Sequence, residues 1–193
     1  MPQPENPKIE IYTRYPLWQL LLYNGVTCTH FLIGGIGIML GYGLWVGPII
    51  GSAYLLFAFI EMYVVMPLKV CPNCPYYVME NSLCISGLNI ISRKMAGQGN
   101  IKDFPNRAKG ALCHNNMYIA SMVLPIILMI VALIITFSWL VLGLLLAVVG
   151  LLLFRFFVMF TRIVCLHCAA KNICPNAISM GLGKPEVSPD PVE

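Results

Sequence analysis

With 59% of its 193 residues hydrophobic and 10% charged, this chain has too few charges to clothe a water-soluble surface, where about 25% is ordinary. Its net charge of +4 is not gathered into the interleaved basic and aromatic patch that grips nucleic acid, and no glycine-rich phosphate loop follows a strand pattern. Nucleic acid is therefore excluded as a partner, and the lipid bilayer is the expected solvent of an all-α, polytopic membrane protein.

Residues 1–16, beginning MPQPENPKIEIYTRY, are polar. They lack the short apolar region and small-residue cleavage site of a removable leader. Residues 17–68 are apolar and long enough for two crossings, since one helix needs about 20 residues. There LLLYNGVTCTHFLIGGIGIML leads through GYGLWVGPIIG into SAYLLFAFIEMYVVM. Gly47-Pro48 marks the turn or the first turn of the second helix, and Pro67 is expected to end that helix. Gly34, Gly35, Gly37, Gly41, Gly43 and Gly47 crowd the first helix. Gly37 and Gly41 share a face and permit close helix approach. Packing inside the bundle is expected of them, with a subunit contact as the alternative.

Residues 69–116 form the main soluble loop. Its stretch LNIISRKMAG places Leu88, Ile91 and Met95 at helical spacing, which suits a helix lying on the membrane surface or packing on its own loop. Residues 117–162 repeat the two-crossing length, with a bend expected between Thr136 and Trp139. Pro125 lies inside the third helix, and its neighbours must tolerate the kink. Residues 163–193 are the tail, whose end GKPEVSPDPVE is polar, proline-rich and expected to be mobile.

All twelve Lys and Arg lie in the N-terminal segment, the stretch from Lys69 to Lys109, or from Arg155 onward. The tips near Gly47 and Trp139 have none. Positive charge stays on the cytoplasmic side, so four helices in two hairpins place both termini and the central loop in the cytoplasm. The expected localisation is an inner or cytoplasmic membrane if the source is prokaryotic.

The cysteines follow the same plan. MPLKVCPNCP and FTRIVCLHCA each set a Cys-x-x-Cys behind an apolar hairpin. The first half reads Cys28, hairpin, Cys71, Cys74, Cys84; the second reads Cys113, hairpin, Cys165, Cys168, Cys174. This matched order predicts a tandem duplication of one hairpin and a cytoplasmic Cys-rich cap. Cys28 joins its set only if the first turn falls at Gly47–Gly51. A turn at Gly43 leaves it one to two helical turns inside the bilayer.

Structural disulfides are not expected in a reducing compartment, so metal binding or redox chemistry is the expected use. Zinc accepts four thiolates in a tetrahedron, and two zinc sites fit eight cysteines. CPNC is similar to a zinc-ribbon knuckle, with Pro75 where glycine is usual. An iron–sulfur cluster also takes four cysteines and often has a following proline, as Cys74-Pro75 and Cys174-Pro175 do. Exchange thiols and simple buried thiols are the remaining readings. Sites form within or across the halves, and His114 or His167 is able to replace a thiolate. His30 is the one histidine inside the membrane, so bis-histidine haem is not expected.

Glu61 and Arg155 are embedded charges, each ten residues before its cysteine pair. Their equal depth predicts a bundle-fixing ion pair, with a quinone or proton site, or an Arg155 reaching the headgroups, as alternatives. No nucleophile–base pair or paired pocket carboxylates are present. The chain is thus expected to be no enzyme by itself but an accessory or scaffold subunit, in a larger membrane complex with protein partner subunits. An iron–sulfur subunit exchanging electrons with a membrane quinone is the second expectation, and a membrane thiol–disulfide oxidoreductase the third.

Overall fold

The computed structural model describes residues 10–110 and 113–183. The readings made for residues 1–9 and for the tail from residue 184 lie outside them. The described chain is helical. Four helices are long and apolar enough to cross a membrane: Leu17–Gly41, Gly43–Asn73, His114–Ile135 and Trp139–Val164. The first is α1 (Leu17–Gly41). The second consists of α2 (Gly43–Ile60), a π-helical segment Glu61–Val70 and a 3-10 turn Cys71–Asn73. After the short α3 (Pro75–Val78) and α4 (Leu88–Met95), a 3-10 stretch Ile101–Ala108 leads to α5 (His114–Ile135). The fourth crossing is α6 (Trp139–Phe154) with a second π-helical segment, Arg155–Val164. A short α7 (Pro175–Ser179) closes the described chain.

Helix α1 packs against α2, α5 and α6, and its small residues permit this. A methyl group at Gly34, Gly37 or Gly41 would strike Pro125, Met129 or Ala132 of α5, and one at Gly35 would strike Leu55 of α2. The glycine stripe therefore serves packing inside the bundle. Pro125 has no N–H for the Ser121 carbonyl one turn earlier, and the Tyr54 hydroxyl of α2 donates to that oxygen at 3.1 Å. His30 Nε2 of α1 lies 3.0 Å from the next carbonyl, that of Met122. Neighbouring helices thus satisfy what the proline leaves open.

The first turn falls at Tyr42 and Gly43, whose φ of +79° needs glycine, rather than at Gly47. Cys28 consequently stays inside α1. Pro67 does not end the second crossing, because the backbone widens into π turns and carries it through. The Cys71 N–H donates to the Met66 carbonyl and the Cys165 N–H to the Phe160 carbonyl, each five residues back. Both π segments are ten residues long, and each ends at the first cysteine of a pair. The second contains no proline, so proline is not their common cause. Such widened turns recur at functional sites.

The polar end is stitched by the N-terminal segment. The Tyr12 N–H donates to the His167 carbonyl at 3.0 Å, the Tyr15 N–H to the Leu83 carbonyl at 2.9 Å, and the Leu83 N–H to the Thr13 carbonyl at 3.2 Å. One extended stretch therefore ties the central loop to the tail. Helix α4 forms as the spacing predicts, with Leu88 turned inward and Ile91 and Met95 outward. Asn89 and Ser92 are buried as well. Asn89 draws the polar face inward, its amide donating to the Ser82 carbonyl at 3.0 Å and its oxygen accepting the Cys84 N–H at 3.1 Å.

Candidate metal centre

The two Cys-x-x-Cys stretches fold alike. The Cys74 N–H donates to the Cys71 carbonyl at 3.0 Å, and the Cys168 N–H to the Cys165 carbonyl at 3.3 Å. Each turn is continued by a further bond, from Tyr77 N–H to the Cys74 carbonyl and from Lys171 N–H to the Cys168 carbonyl. Such turns hold both sulfurs of a pair to one side. The third cysteine of each half comes from the following segment, Cys84 beside α4 and Cys174 at the start of α7.

These six residues, Cys71, Cys74, Cys84, Cys165, Cys168 and Cys174, line one cavity of about 170 Å³ at the polar end of the bundle. The rest of its wall is largely apolar and aromatic, including Tyr15, Tyr23, Met62, Tyr76, Tyr118 and Phe160. None of the eight cysteines is in a disulfide. Among the described residues, no three Cys, His, Asp or Glu side chains converge on a point fit for one ion.

The wall is apolar, and the groups that line it are largely buried. Burial pushes the Cys74 thiol well above its ordinary range, and Cys168, Cys84 and Cys71 push it further, against a backbone hydrogen bond from Tyr76. A thiol of the second half thus acts on one of the first. Burial likewise raises the Tyr15 and Tyr76 hydroxyls, with Cys168 as the next cause in each. These tyrosines brace the wall. Tyr15 donates to the Val164 carbonyl at 2.6 Å. Tyr76 donates to the Tyr12 carbonyl at 2.6 Å and accepts the Ala169 N–H at 3.2 Å.

The other expected ligands lie elsewhere. Cys113 caps α5, its sulfur accepting the Asn116 N–H at 3.4 Å, and is not part of the cavity wall. Cys28 lies within α1, 3.4 Å from the Tyr63 hydroxyl. His167 stacks on Tyr12 and its Nδ1 is 2.8 Å from the Glu10 carbonyl. His114 does reach the cavity, and it also lines a polar cleft with Lys69, Asn73 and Asp103.

The expected Glu61–Arg155 pair does not form. Glu61 faces His114 instead, with Oε1 3.9 Å from Nδ1. Arg155 is 1% exposed and turns into the bundle, where it donates to Thr27 Oγ1 at 2.6 Å and to the Tyr118 hydroxyl. Equal depth along two helices was not enough, because the two side chains face different neighbours around the bundle. Sequence reasoning missed Arg155's actual partners and the bracing tyrosines. The available signal was Thr27 four residues after Tyr23, a polar pair on one face of the helix.

No known protein family, characterised protein or solved structure matches this chain.

Proposed function

We propose that this chain is a membrane-integral electron carrier whose six-thiol cavity holds an iron–sulfur cluster. One observation carries the proposal: three cysteines from each half line a single cavity of about 170 Å³. A lone zinc ion bonded to sulfur at about 2.3 Å leaves most of such a space unused. A cluster with its own bridging sulfides fills more of it and needs only four of the thiolates. The dry wall also suits electron transfer, because a buried cluster reorganises little solvent.

The expected membrane partner is a lipid quinone. Two single-electron transfers from the centre, with two protons, take a quinone to the quinol. The electrons come from a soluble reduced donor or a partner subunit at the polar end. We read the two halves as tandem copies of one hairpin, supported by the matched π segments, the matched cysteine turns and the three wall thiols from each. The charge distribution supports a cytoplasmic position for both termini and the cysteine end.

A second reading is a structural zinc cap in a scaffold subunit. The stitching of Tyr12 and Tyr15 to His167 and Leu83 favours it, since a structural metal would reinforce the same junction. Anaerobic purification in detergent separates the two. Iron with acid-labile sulfide and a brown colour is the expected result. A colourless protein carrying zinc overturns the electron-carrier reading and leaves the cap.

A further inference from the structure

The bundle contains a buried cation with no carboxylate beside it. Among the described residues Arg155 meets hydroxyls alone, those of Thr27, Tyr118 and Tyr23, and its Nε is buried without a hydrogen-bond partner. Its guanidinium lies over aromatic faces, 4.6 Å from the Tyr23 ring centre and 5.4 Å from those of Tyr118 and Phe160. Ring faces attract a cation but do not replace an anion. A buried charge without a counter-charge is strongly unfavourable.

All three rings also line the six-thiol cavity. The same rings therefore touch both the guanidinium and the space that the sulfurs line. No lysine or arginine lines the cavity itself. A metal dication or a cluster core of the same charge, held by four thiolates, has two excess negative charges. A cation held behind an apolar wall acts on such a group more strongly than it would across bulk water.

We infer that Arg155 is the counter-ion of the thiolate centre: it completes the charge balance of an anionic metal group across the Tyr23, Tyr118 and Phe160 wall and sets that group's reduction potential. The inference rests on the thiolate-centre reading and adds the sign of the group's charge and the residue that answers it. Arg155 is a positioning and tuning residue, not a ligand.

The test compares wild type, Arg155→Lys and Arg155→Gln, purified whole in detergent without oxygen. Iron and sulfide are assayed and the potential is measured by EPR-monitored titration. Reduction adds negative charge, so removing the cation makes reduction harder. In Arg155→Gln the oxidised-to-reduced ratio at the wild-type midpoint is expected to rise at least tenfold, which for one electron is about 59 mV downward. Arg155→Lys, which keeps the charge, is expected to stay well within that shift. A merely structural role would lower yield or iron content and leave the potential of the loaded fraction unmoved. That result, or equal shifts in both variants, overturns the inference.

If Arg155→Gln does not accumulate, Thr27→Asp sets a carboxylate against the guanidinium and is expected to give the same downward shift. An unchanged potential there also overturns the inference. Should wild type hold zinc and no iron, the electron-carrier reading fails while this inference stands or falls separately. Arg155→Gln must then lose zinc to a chelator at least tenfold more readily than Arg155→Lys. A wild type that binds neither metal overturns both.

Discussion

Burial pushes the Cys74 thiol above its ordinary value of 9.0, and it raises the Tyr15 and Tyr76 hydroxyls above theirs of 10.0. All three fold as neutral groups, and the unfolded chain gives up their protons first. Their contribution to stability is fully present below about 9 and is lost as pH rises from there toward the higher folded values. The metal-free, reduced protein in micelles should therefore hold its unfolding temperature from pH 6 to 8 and lose it steeply above about 9 to 10. A stability that rose through that alkaline window would show that these groups are ionised in the fold. The same residues sort the cysteines by role. Serine at each of the four wall positions that supply ligands should lower the bound metal or cluster content at least several-fold, and serine at the other two should retain most of it. Cys28→Ser and Cys113→Ser should retain most of it, measured by metal and sulfide per chain. The two Cys-x-x-Cys turns, Cys71–Cys74 and Cys165–Cys168, were legible from the sequence, because such a turn needs only local geometry. Whether Cys84, Cys113 or Cys28 completed a site was not legible, since that depends on how distant segments meet.

At the scale of helices, close approach decides which glycines matter. A methyl group at Gly47 in α2 would collide with the Met39 carbonyl of α1, whereas one at Gly143 in α6 meets nothing within 4 Å. Backbone does not move aside as a flexible side chain does, so Gly47→Ala should cost about 1–3 kcal/mol. Gly143→Ala should be neutral or stabilising by up to about 1 kcal/mol, through helix propensity alone. Thermal unfolding of the two variants in the same detergent measures the contrast, and equal unfolding temperatures would refute the α1–α2 contact. Tyr54→Phe, which leaves the Ser121 carbonyl without its donor, should cost about 1 kcal/mol, as interhelical bonds in membranes do. The crossings themselves were legible because twenty-odd apolar residues have few other fates. Their ends were less so. Gly43 rather than Gly47-Pro48 makes the turn, since a positive φ is what the backbone requires there and proline is tolerated inside α2. The π segments carried no pattern in the sequence. They change the backbone bond from one carbonyl to the next, and apolar side chains accept either.

For the molecule as a whole, the polar atoms gather at one end. Backbone hydrogen bonds join the N-terminal segment there to the central loop at Leu83 and to the tail at His167. The opposite end offers only Tyr42–Gly43 and Thr136–Ser138 between helices. The three tryptophans, all exposed, stand at the two ends: Trp18 at the stitched one, Trp45 and Trp139 at the other. Tryptophan prefers both membrane boundaries, and α1 with 25 residues spans roughly 37 Å at 1.5 Å per residue. That covers the roughly 30 Å hydrocarbon core. The proposed direction of insertion rests on charge. Among the described residues, every Lys and Arg except Arg155 belongs to the stitched end or its adjoining helix turns, and neither short tip has one. Holding such an end on the cytoplasmic side is the general preference. A reporter cysteine at Ser138, in a chain whose eight native cysteines are serine, should react with a membrane-impermeant maleimide added to intact cells. A reporter at Asn106, in the loop, should react only after the cells are opened. The serine background removes the proposed centre, so a second readout is needed: in the native chain, Glu80 or Lys102 replaced by an epitope tag should be hidden from antibody until the cells are opened. The reverse pattern in both readouts would put the cysteine end outside, in a compartment where disulfides rather than metal thiolates are the ordinary state. The electron-carrier reading would then lose its chemical setting, even with the same six sulfurs around the same cavity.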